Sequence, residues 1–393
     1  MALPSLPAAG ADWSAWGAAV HAGVNNAAPI SLARRTGARW VALGDSITAA
    51  DTYLRYAVTL GGGKVRLVRN AGVGGDQIDQ MLARFDTDVT PYAPTMVSVM
   101  GGTNDYTFGT TDAQFRARVQ SFVAKVRSIG AVPLLFTSPP CNVLAASDRA
   151  KIPRNNVWMA DYAAREGILL VDAYAALADT AGYGMYRADL VNGDGIHPNE
   201  AGHFAVAQAT AAVLNPIMPP LTQLAATNAD PTNLLSNGQM VDGNGDGWGD
   251  DWGQVWGLDA GTWTYSIVTD AAVPGGQMQR TTLTTATGHV SRNQDVTGGY
   301  SAGDLMRLTA LVTTTAGTYV DIQMEAIAGA SGLGKQTISQ PVTRGLADVT
   351  FTIPTGTTTL RVTFSPGAKT AGITGTVDVG AITLRNLTVL GIA

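Results

Sequence analysis

The chain carries few charges, a single cysteine and no long apolar run, and each shortage excludes a class of partner or structure. Charged residues make up 14% of its 393 residues, and the net charge is −5. An acidic balance without a basic run argues against nucleic acid as a partner. Cys141 has no second cysteine with which to form an intrachain disulfide. No apolar run approaches the roughly 18 residues of a membrane-spanning helix, so we predict no membrane span.

The N-terminal segment lacks a basic region followed by an apolar one, so we predict no Sec signal peptide in this chain. Residues 1–36 are rich in alanine and glycine, with Trp13 and Trp16 on a predicted short helix, and we interpret this segment as an adaptor. A start of this kind is similar to that of phage tail proteins. We therefore expect an extracellular or virion-associated location such as a phage tail, and the cytoplasm stays open.

Residues 37–215 alternate between strand-like and helix-like patterns. In the stretch Phe115–Ile129, for example, apolar residues recur at helical spacing. Alternating strands and helices predict an α/β domain with a parallel sheet and helices on both faces. In such sheets, ligands bind at the carboxyl ends of the strands. The predicted strands are Trp40–Leu43, Val65–Val68, Met96–Met100, Val132–Phe136 and Ile168–Val171.

The composition changes after residue 215. Residues 216–231 are rich in proline, alanine, threonine and asparagine, which is typical of a linker. In residues 232–393, short runs such as Tyr319–Glu325 and Leu360–Phe364 alternate polar and apolar side chains between glycine- and proline-containing turns. This pattern predicts an all-β domain of the β-sandwich kind.

Three short segments carry the residue types of one chemistry. Gly44-Asp45-Ser46-Ile47-Thr48 directly follows the first predicted strand, and Gly101-Gly102-Thr103-Asn104-Asp105 follows the third. Far downstream, Asp194 stands three residues before His197. Together these segments supply a nucleophile, a polar amide, an orienting acid and a base. Serine acyl hydrolysis requires this set of groups.

Each of these residues also has a structural interpretation. Ser46 could cap a helix, Asn104 could cap the loop after its strand, and Asp194 could be a turn residue. We favour the chemical roles because the segments occur together, each at the end of a strand-like run or with the spacing that the chemistry needs. Asp45 is expected to bond to nearby backbone, and Cys141 to be a buried or loop thiol.

The four histidines separate clearly by context. His197 combines an acid three residues before it with a proline after it, an arrangement that holds a carboxylate against one ring nitrogen and leaves the other for the serine. His21 falls in the adaptor and His289 in the β-domain. His203 lies in the predicted helix Glu200–Leu214, where we expect it to pack or cap locally. The base is therefore assigned to His197.

In this order, the segments resemble the motif blocks of the SGNH (GDSL) hydrolase family. A further block, Asn70-Ala71-Gly72-Val73-Gly74-Gly75-Asp76, places Gly75 where that family has an oxyanion-hole glycine. The resemblance covers about residues 38–215. It departs from the family only slightly, since the first block reads Gly-Asp-Ser-Ile rather than Gly-Asp-Ser-Leu.

The resemblance implies a three-layer α/β/α, flavodoxin-like SGNH hydrolase domain. It implies that Ser46 is the nucleophile, with Asp194 and His197 as the acid and base. It also implies an oxyanion hole formed by the backbone N–H groups of Ser46 and Gly75 and by the Asn104 side chain. No metal or organic cofactor is needed for this chemistry.

The edges of the β-domain, Asn233–Gly238 and Val377–Leu384, are similar to those of jelly-roll carbohydrate-binding modules. Within it, Asp242, Asn244 and Asp246 occupy alternate positions of a glycine-rich loop that resembles a calcium loop, although the glutamate that closes an EF-hand is missing. A structural calcium site and an ordinary polar loop both stay open. Four tryptophans of this domain are either core residues or a sugar-stacking platform: Trp248, Trp252, Trp256 and Trp263.

The expected function is hydrolysis of carboxylic esters, and the sugar-module-like domain favours a carbohydrate O-acetyl esterase that acts on polysaccharide. The expected partner is therefore an ester substrate, an acetylated carbohydrate in this interpretation, and the oligomeric state stays open. A short-chain esterase, lipase or thioesterase of the same family is an alternative. A phage tail or sugar-binding structural protein with an incidental hydrolase domain is an alternative of another class.

Overall fold

The computed structural model describes residues 38–217, 224–254, 260–327 and 330–391. The chain divides into two compact units, with the division near residue 220. The predicted adaptor, with its short helix and His21, lies outside the described residues, and so does Trp256. Among the helices of the described ranges, none has the length and apolar character needed to cross a membrane.

The first unit is built on a five-stranded parallel sheet with the strand order β2-β1-β3-β4-β5. This is the order of flavodoxin-like sheets, whose topological switch point lies between β1 and β3. The predicted α/β fold is therefore confirmed. The strands are β1 (Ala38–Gly44), β2 (Val65–Gly72), β3 (Met96–Met100), β4 (Val132–Phe136) and β5 (Leu169–Val171).

Helices cover both faces of this sheet, since alternate strand residues are buried against different helices. On one face, Val41 and Leu43 pack with Phe115 of the central long helix. On the other face, the Tyr53 ring lies 5.6 Å from that of Phe136. The helices are α1 (Ser46–Ala49), α2 (Thr52–Leu60), α3 (Ile78–Ala83), α4 (Phe85–Asp88), α5 (Thr103–Thr107), α6 (Asp112–Ser128), α7 (Ala146–Arg149), α8 (Lys151–Glu166), α9 (Ala173–Leu177) and α10 (Glu200–Leu214).

The turn from β1 into α1 is tightly packed against β2. A Cβ atom on Gly72 would lie 2.2 Å from the backbone nitrogen of Ala49, so only glycine allows β2 to pass this close to the helix. The Asn70 side chain donates to the Thr48 carbonyl oxygen at 2.9 Å and accepts from the Gly72 N–H at 3.0 Å. The first residue of α1, Ser46, is thereby held in a fixed position at the carboxyl end of the sheet.

The second unit is all-β and antiparallel, as predicted. Its longest strand, β14, pairs with β9 and β11 along its first part and with β8 and β10 along its last part. Gly334 of β12 lies against Val349 of β13, which is not its hydrogen-bonded neighbour, so the sheet folds back on itself. The strands are β6 (Gly253–Gln254), β7 (Thr262–Thr269), β8 (Gln277–His289), β9 (Arg292–Val296), β10 (Leu305–Thr314), β11 (Thr318–Ile327), β12 (Ala330–Ile338), β13 (Val342–Thr352) and β14 (Thr359–Asn386).

The segment that enters this unit binds along the end of β14. The Leu234 N–H donates to the Leu384 carbonyl oxygen at 2.9 Å, and the Ile382 N–H donates to that of Gly238 at 2.8 Å. Ala225 is buried, and its N–H donates to the Thr383 hydroxyl at 3.0 Å. The second unit therefore includes residues from 224 onward, which shortens the linker predicted over residues 216–231.

Asp45 is a buried carboxyl at the start of α1, where its side chain accepts from the Ile47 N–H at 3.0 Å and caps the helix. This is the backbone role expected for it. Removal from water raises its pKa from 3.8 to about 7. Between these two values the folded chain holds a proton that the unfolded chain has released, so the free energy of unfolding falls as the pH rises through this window, by about 4 kcal/mol in total.

Replacing Asp45 with asparagine should remove this pH dependence, because asparagine keeps an acceptor oxygen for the Ile47 N–H and cannot ionise. We expect the free energy of unfolding of Asp45→Asn, relative to the unmodified chain, to rise by about 3 kcal/mol between pH 5 and pH 8. Urea unfolding at the two pH values measures this difference. Asp161→Asn, at a solvent-exposed carboxylate on α8, controls for the loss of one charge. If the free energies of unfolding of Asp45→Asn and of the unmodified chain changed equally between the two pH values, the expectation would be wrong.

Candidate active site

Ser46, His197 and Asp194 lie in one hydrogen-bonded row. The Ser46 Oγ is 2.7 Å from the His197 Nε2, and the His197 Nδ1 is 2.7 Å from the Asp194 Oδ2. Ser46 follows β1, whereas Asp194 and His197 lie in the loop before α10. Ser46 and His197 are 151 positions apart in the sequence. The structure thus brings together the three residues that the sequence nominated.

The loop that carries the acid and the histidine is fixed from both sides. Gly195 accepts from the Asn142 N–H at 2.9 Å, and the Asn142 side-chain oxygen accepts from the Tyr186 N–H at 2.8 Å. The hydroxyl of Tyr186, which is buried, donates to the Ile196 carbonyl oxygen at 2.9 Å. These bonds orient the residue that directly precedes His197.

Asp194 is exposed yet strongly held as an anion. Its Oδ1 accepts from the backbone N–H groups of His197 and Ile196 at 3.0 and 2.9 Å, and its Oδ2 faces the imidazole. These hydrogen bonds, with that of the His197 N–H contributing most, lower the pKa of Asp194 to about 2. The carboxylate is therefore ionised at every pH at which the folded chain is expected to work.

Gly75 and Asn104 lie at the same edge of the sheet, after β2 and β3. A turn closed by the Asp76 N–H on the Val73 carbonyl oxygen, at 3.3 Å, puts Gly75 at a φ of +86°, a conformation that favours glycine. The neighbouring Gly74 lies near Ser46, since a Cβ on it would be 3.8 Å from the serine Cβ. Asn104, near the start of α5, donates from Nδ2 to the Asp76 carbonyl oxygen at 3.1 Å. The Gly75 turn and the Asn104 amide are thus joined directly.

The other candidates of this domain lie outside the row. Cys141 is buried, and burial raises the pKa of its thiol, as a structural cysteine requires. His203 is buried in α10 and stacks on Tyr53, with ring centroids 6.3 Å apart. Burial lowers the pKa of this histidine to about 4, so it packs as a neutral ring. His289 lies at the end of β8 in the second unit.

The predicted calcium loop forms hydrogen bonds with its own backbone. The carboxylate of Asp242 accepts from the N–H groups of Gly245 and Gly247 at 2.7 and 2.9 Å, and Asn244 accepts from that of Asp246 at 2.9 Å. No group of three or more histidine, cysteine, aspartate or glutamate side chains able to hold a metal is found in the described parts of the chain. The polar-loop interpretation accounts for these contacts without an ion.

The tryptophans next to this loop pack within the β-domain. Trp252 is buried, and its indole N–H donates to the Asn237 carbonyl oxygen at 2.8 Å. The Trp248 ring contacts both the Tyr265 ring, at 3.8 Å between centroids, and the Arg292 guanidinium, at 3.1 Å. Trp252 is therefore a core residue, and Trp248 packs against two neighbours of the same domain.

Arg84 was missed by sequence reasoning, although it contacts two of the blocks. Its side chain binds the Asp76 carboxylate and the Gly44 carbonyl oxygen. It lies eight residues after Asp76, and no motif surrounds it in the sequence. Nothing in the sequence indicates that the side chain of an arginine between α3 and α4 would contact Gly44 and Asp76.

Part of the chain matches a known protein family. Residues 42–205 match the model of the GDSL-like Lipase/Acylhydrolase family. The uncharacterized lipoprotein YqeF of Bacillus subtilis (strain 168) is 33% identical over 79 residues, which is 19% of this chain and 32% of that protein. The chain therefore spans about a third of the length of this curated relative.

Solved structures are similar to the first unit at lower identity. A GDSL-like lipase from Bacteroides thetaiotaomicron VPI-5482 is 19% identical, with a TM-score of 0.40, over 50% of this chain and 96% of the lipase. The acetylxylan esterase Axe2 from Geobacillus stearothermophilus is 24% identical, with a TM-score of 0.39, over 46% of this chain and 94% of the esterase. The family match covers residues 42–205, which include Ser46, Asp194 and His197, and it identifies the first unit as an ester-hydrolase domain of the GDSL-like lipase/acylhydrolase kind.

Proposed function

We propose that the chain hydrolyses esters through a covalent acyl-enzyme formed on Ser46. The observation that carries this proposal is the continuous row from Ser46 through His197 to Asp194, with both contacts at 2.7 Å. His197 takes the serine proton as the Oγ attacks the ester carbonyl carbon, and it then protonates the leaving alcohol. Water attacks the acyl-enzyme in the second half, with His197 again as the base. The Asp194 anion orients the ring and stabilises its charged form.

The oxyanion of each tetrahedral intermediate needs donors on the side of the serine away from His197. We assign the backbone N–H groups of Ser46 and Gly75 and the Asn104 amide to this role. The Gly75 turn and the Asn104 amide are already linked through Asp76, so the donors are arranged before substrate binds. Such preorganisation is the main source of transition-state stabilisation in acyl transfer.

For the substrate, we propose O-acetyl groups on a polysaccharide. The exposed positions of His197 and Asp194, with 36% and 46% of their side-chain surfaces accessible, support this assignment, because a long polymer can reach an open site without threading into a cavity. A small acyl group also fits a site that offers little enclosure. The all-β second unit is the part of the chain that we propose to bind the polymer.

One observation favours a second candidate, an esterase or thioesterase for longer acyl chains. Val73 and Val143 are 43% and 60% exposed. Val73 directly precedes Gly74, which lies near Ser46, and the Val143 side chain is 3.4 Å from where a Cβ on Gly195 would lie. These two valines give the rim of the site an apolar surface along which an alkyl chain could lie.

The nucleophile assignment predicts that Ser46→Ala and His197→Ala each abolish nearly all hydrolysis of p-nitrophenyl acetate. Asp194→Asn should cost about 10⁴ in rate, the order seen when the orienting acid of such a triad is lost. Initial rates and melting temperatures of purified variants measure both effects. Ser128→Ala, at an exposed serine on α6, is the matched control and should keep full activity. Retention of most of the rate by folded Ser46→Ala would exclude the mechanism.

The oxyanion assignment predicts that Asn104→Ala lowers kcat by roughly 10²–10³ and leaves KM less affected, because the amide acts on developing charge. Asn104→Asp has nearly the same shape but no N–H donor, so it should be at least as damaging. A residue whose amide only held the Asp76 carbonyl oxygen would lose stability in both variants but keep its kcat in the folded protein. Full kinetics on p-nitrophenyl acetate decide between the two roles, and an unchanged kcat in the aspartate variant would leave Asn104 without a part in the chemistry.

The substrate assignment predicts that kcat/KM falls from p-nitrophenyl acetate to the butyrate and octanoate esters, and that the chain releases acetate from chemically acetylated dextran. Val73→Ser and Val143→Ser should leave the acetate rate within about twofold, since a methyl group does not extend to the rim. A rising rate with acyl length, reduced by these two substitutions, would favour the longer-chain esterase instead. Acetate release by Ser46→Ala serves as the background.

A further inference from the structure

We propose that Arg84 is a positioning residue for the oxyanion hole. This inference rests on the proposed serine mechanism and names a residue outside the motif blocks on which that mechanism depends. Arg84 lies between α3 and α4, and its guanidinium makes three hydrogen bonds. It donates from Nε to the Asp76 Oδ2 at 2.7 Å, from Nη2 to the Gly44 carbonyl oxygen at 3.1 Å, and from Nη1 to the Asp88 Oδ2 at 2.7 Å.

Two of these acceptors flank proposed oxyanion donors. Gly44 is the last residue of β1, two positions before the Ser46 N–H, and Asp76 directly follows Gly75. The Asp76 carbonyl oxygen in turn accepts from the Asn104 Nδ2 at 3.1 Å. One arginine therefore connects the segments that carry all three donors. The third acceptor, Asp88, lies at the end of α4 and touches none of them.

The ion pair between Arg84 and Asp76 is partly shielded from water, so its loss would not be fully compensated by solvent. The side chains of Arg84 and Asp76 are 18% and 13% exposed. A planar guanidinium can hold three acceptors in fixed directions, whereas an ammonium group cannot reproduce that fork. Without the arginine, the Asp76 carboxylate would be left poorly solvated and without its cation, and the Gly75 turn would shift to expose it. A displacement of about 1 Å at reacting groups can cost on the order of 10² in rate.

The two carboxylates bound by Arg84 provide a matched pair of variants. Asp76→Ala and Asp88→Ala each remove one ion-pair partner of the same arginine, but only the first lies on the oxyanion turn. We expect Asp76→Ala to lower kcat for p-nitrophenyl acetate by about tenfold or more, with KM changed less, and Asp88→Ala to change kcat by less than about twofold. Equal losses in the two variants would reduce Arg84 to a structural ion pair and overturn the proposal.

Arg84 itself is tested with Arg84→Met and Arg84→Lys in the full chain. We expect Arg84→Met to lower kcat by about 10–100-fold, and Arg84→Lys to recover part of this loss. Where Asn104→Ala has already removed one donor, Arg84→Met should cost at most about threefold more, because both changes damage the same hole. A purely structural arginine would give the same factor in both backgrounds.

The possible failures are distinguishable. If Arg84→Met melts at the assay temperature, Arg84→Lys and the Asp76/Asp88 pair carry the decision. An unchanged kcat in folded Arg84→Met, or full additivity with Asn104→Ala, overturns the positioning role while Ser46→Ala stays inactive. Activity in Ser46→Ala would instead remove the serine mechanism on which the proposal rests.

Discussion

The hydrogen bond between Ser46 and His197 is the contact around which the first unit is arranged. It joins residues 151 positions apart at 2.7 Å, so it exists only if the whole α/β unit is folded. The parallel sheet makes this possible because the carboxyl ends of all its strands lie at one edge. Ser46 follows β1, Gly75 follows β2 and Asn104 follows β3, and these three strands are adjacent. The strand order itself therefore brings together the proposed nucleophile and its proposed oxyanion donors.

The sequence predicted those parts of the fold that local patterns determine. The five strands of the first unit and the helix Glu200–Leu214 follow from apolar runs and helical spacing, and all were found. The helix predicted over Phe115–Ile129 begins earlier, at Asp112, because Thr111 and Gln114 form a capping box before the first apolar residue. Sequence patterns predict the type of an element better than they predict the residue at which it begins.

What the sequence could not predict depends on contacts between distant segments. Residues 224–231 were predicted to be linker because they are rich in alanine, threonine and asparagine, yet Ala225 is buried and its N–H donates to the Thr383 hydroxyl. Arg84 showed no signal, because its role depends on where Gly44 and Asp76 meet in space. The candidate site residues could be predicted because their signals are local in the sequence. Ser46, Asn104 and the Asp194–His197 pair each stand in a short block with its own spacing.

Two carboxyl groups near Ser46 illustrate how environment separates residues of the same type. Asp45 is adjacent to the serine in sequence, but burial raises its pKa to about 7, and its oxygen is occupied by the Ile47 N–H. Asp194 is distant in sequence and exposed, and its N–H donors lower its pKa to about 2. A histidine that gains a proton during acyl transfer needs a partner that is already an anion. Asp194 meets this requirement, whereas Asp45 would be partly protonated near neutrality. The electrostatics therefore favour the loop before α10, rather than the residue next to Ser46, as the source of the proposed acid.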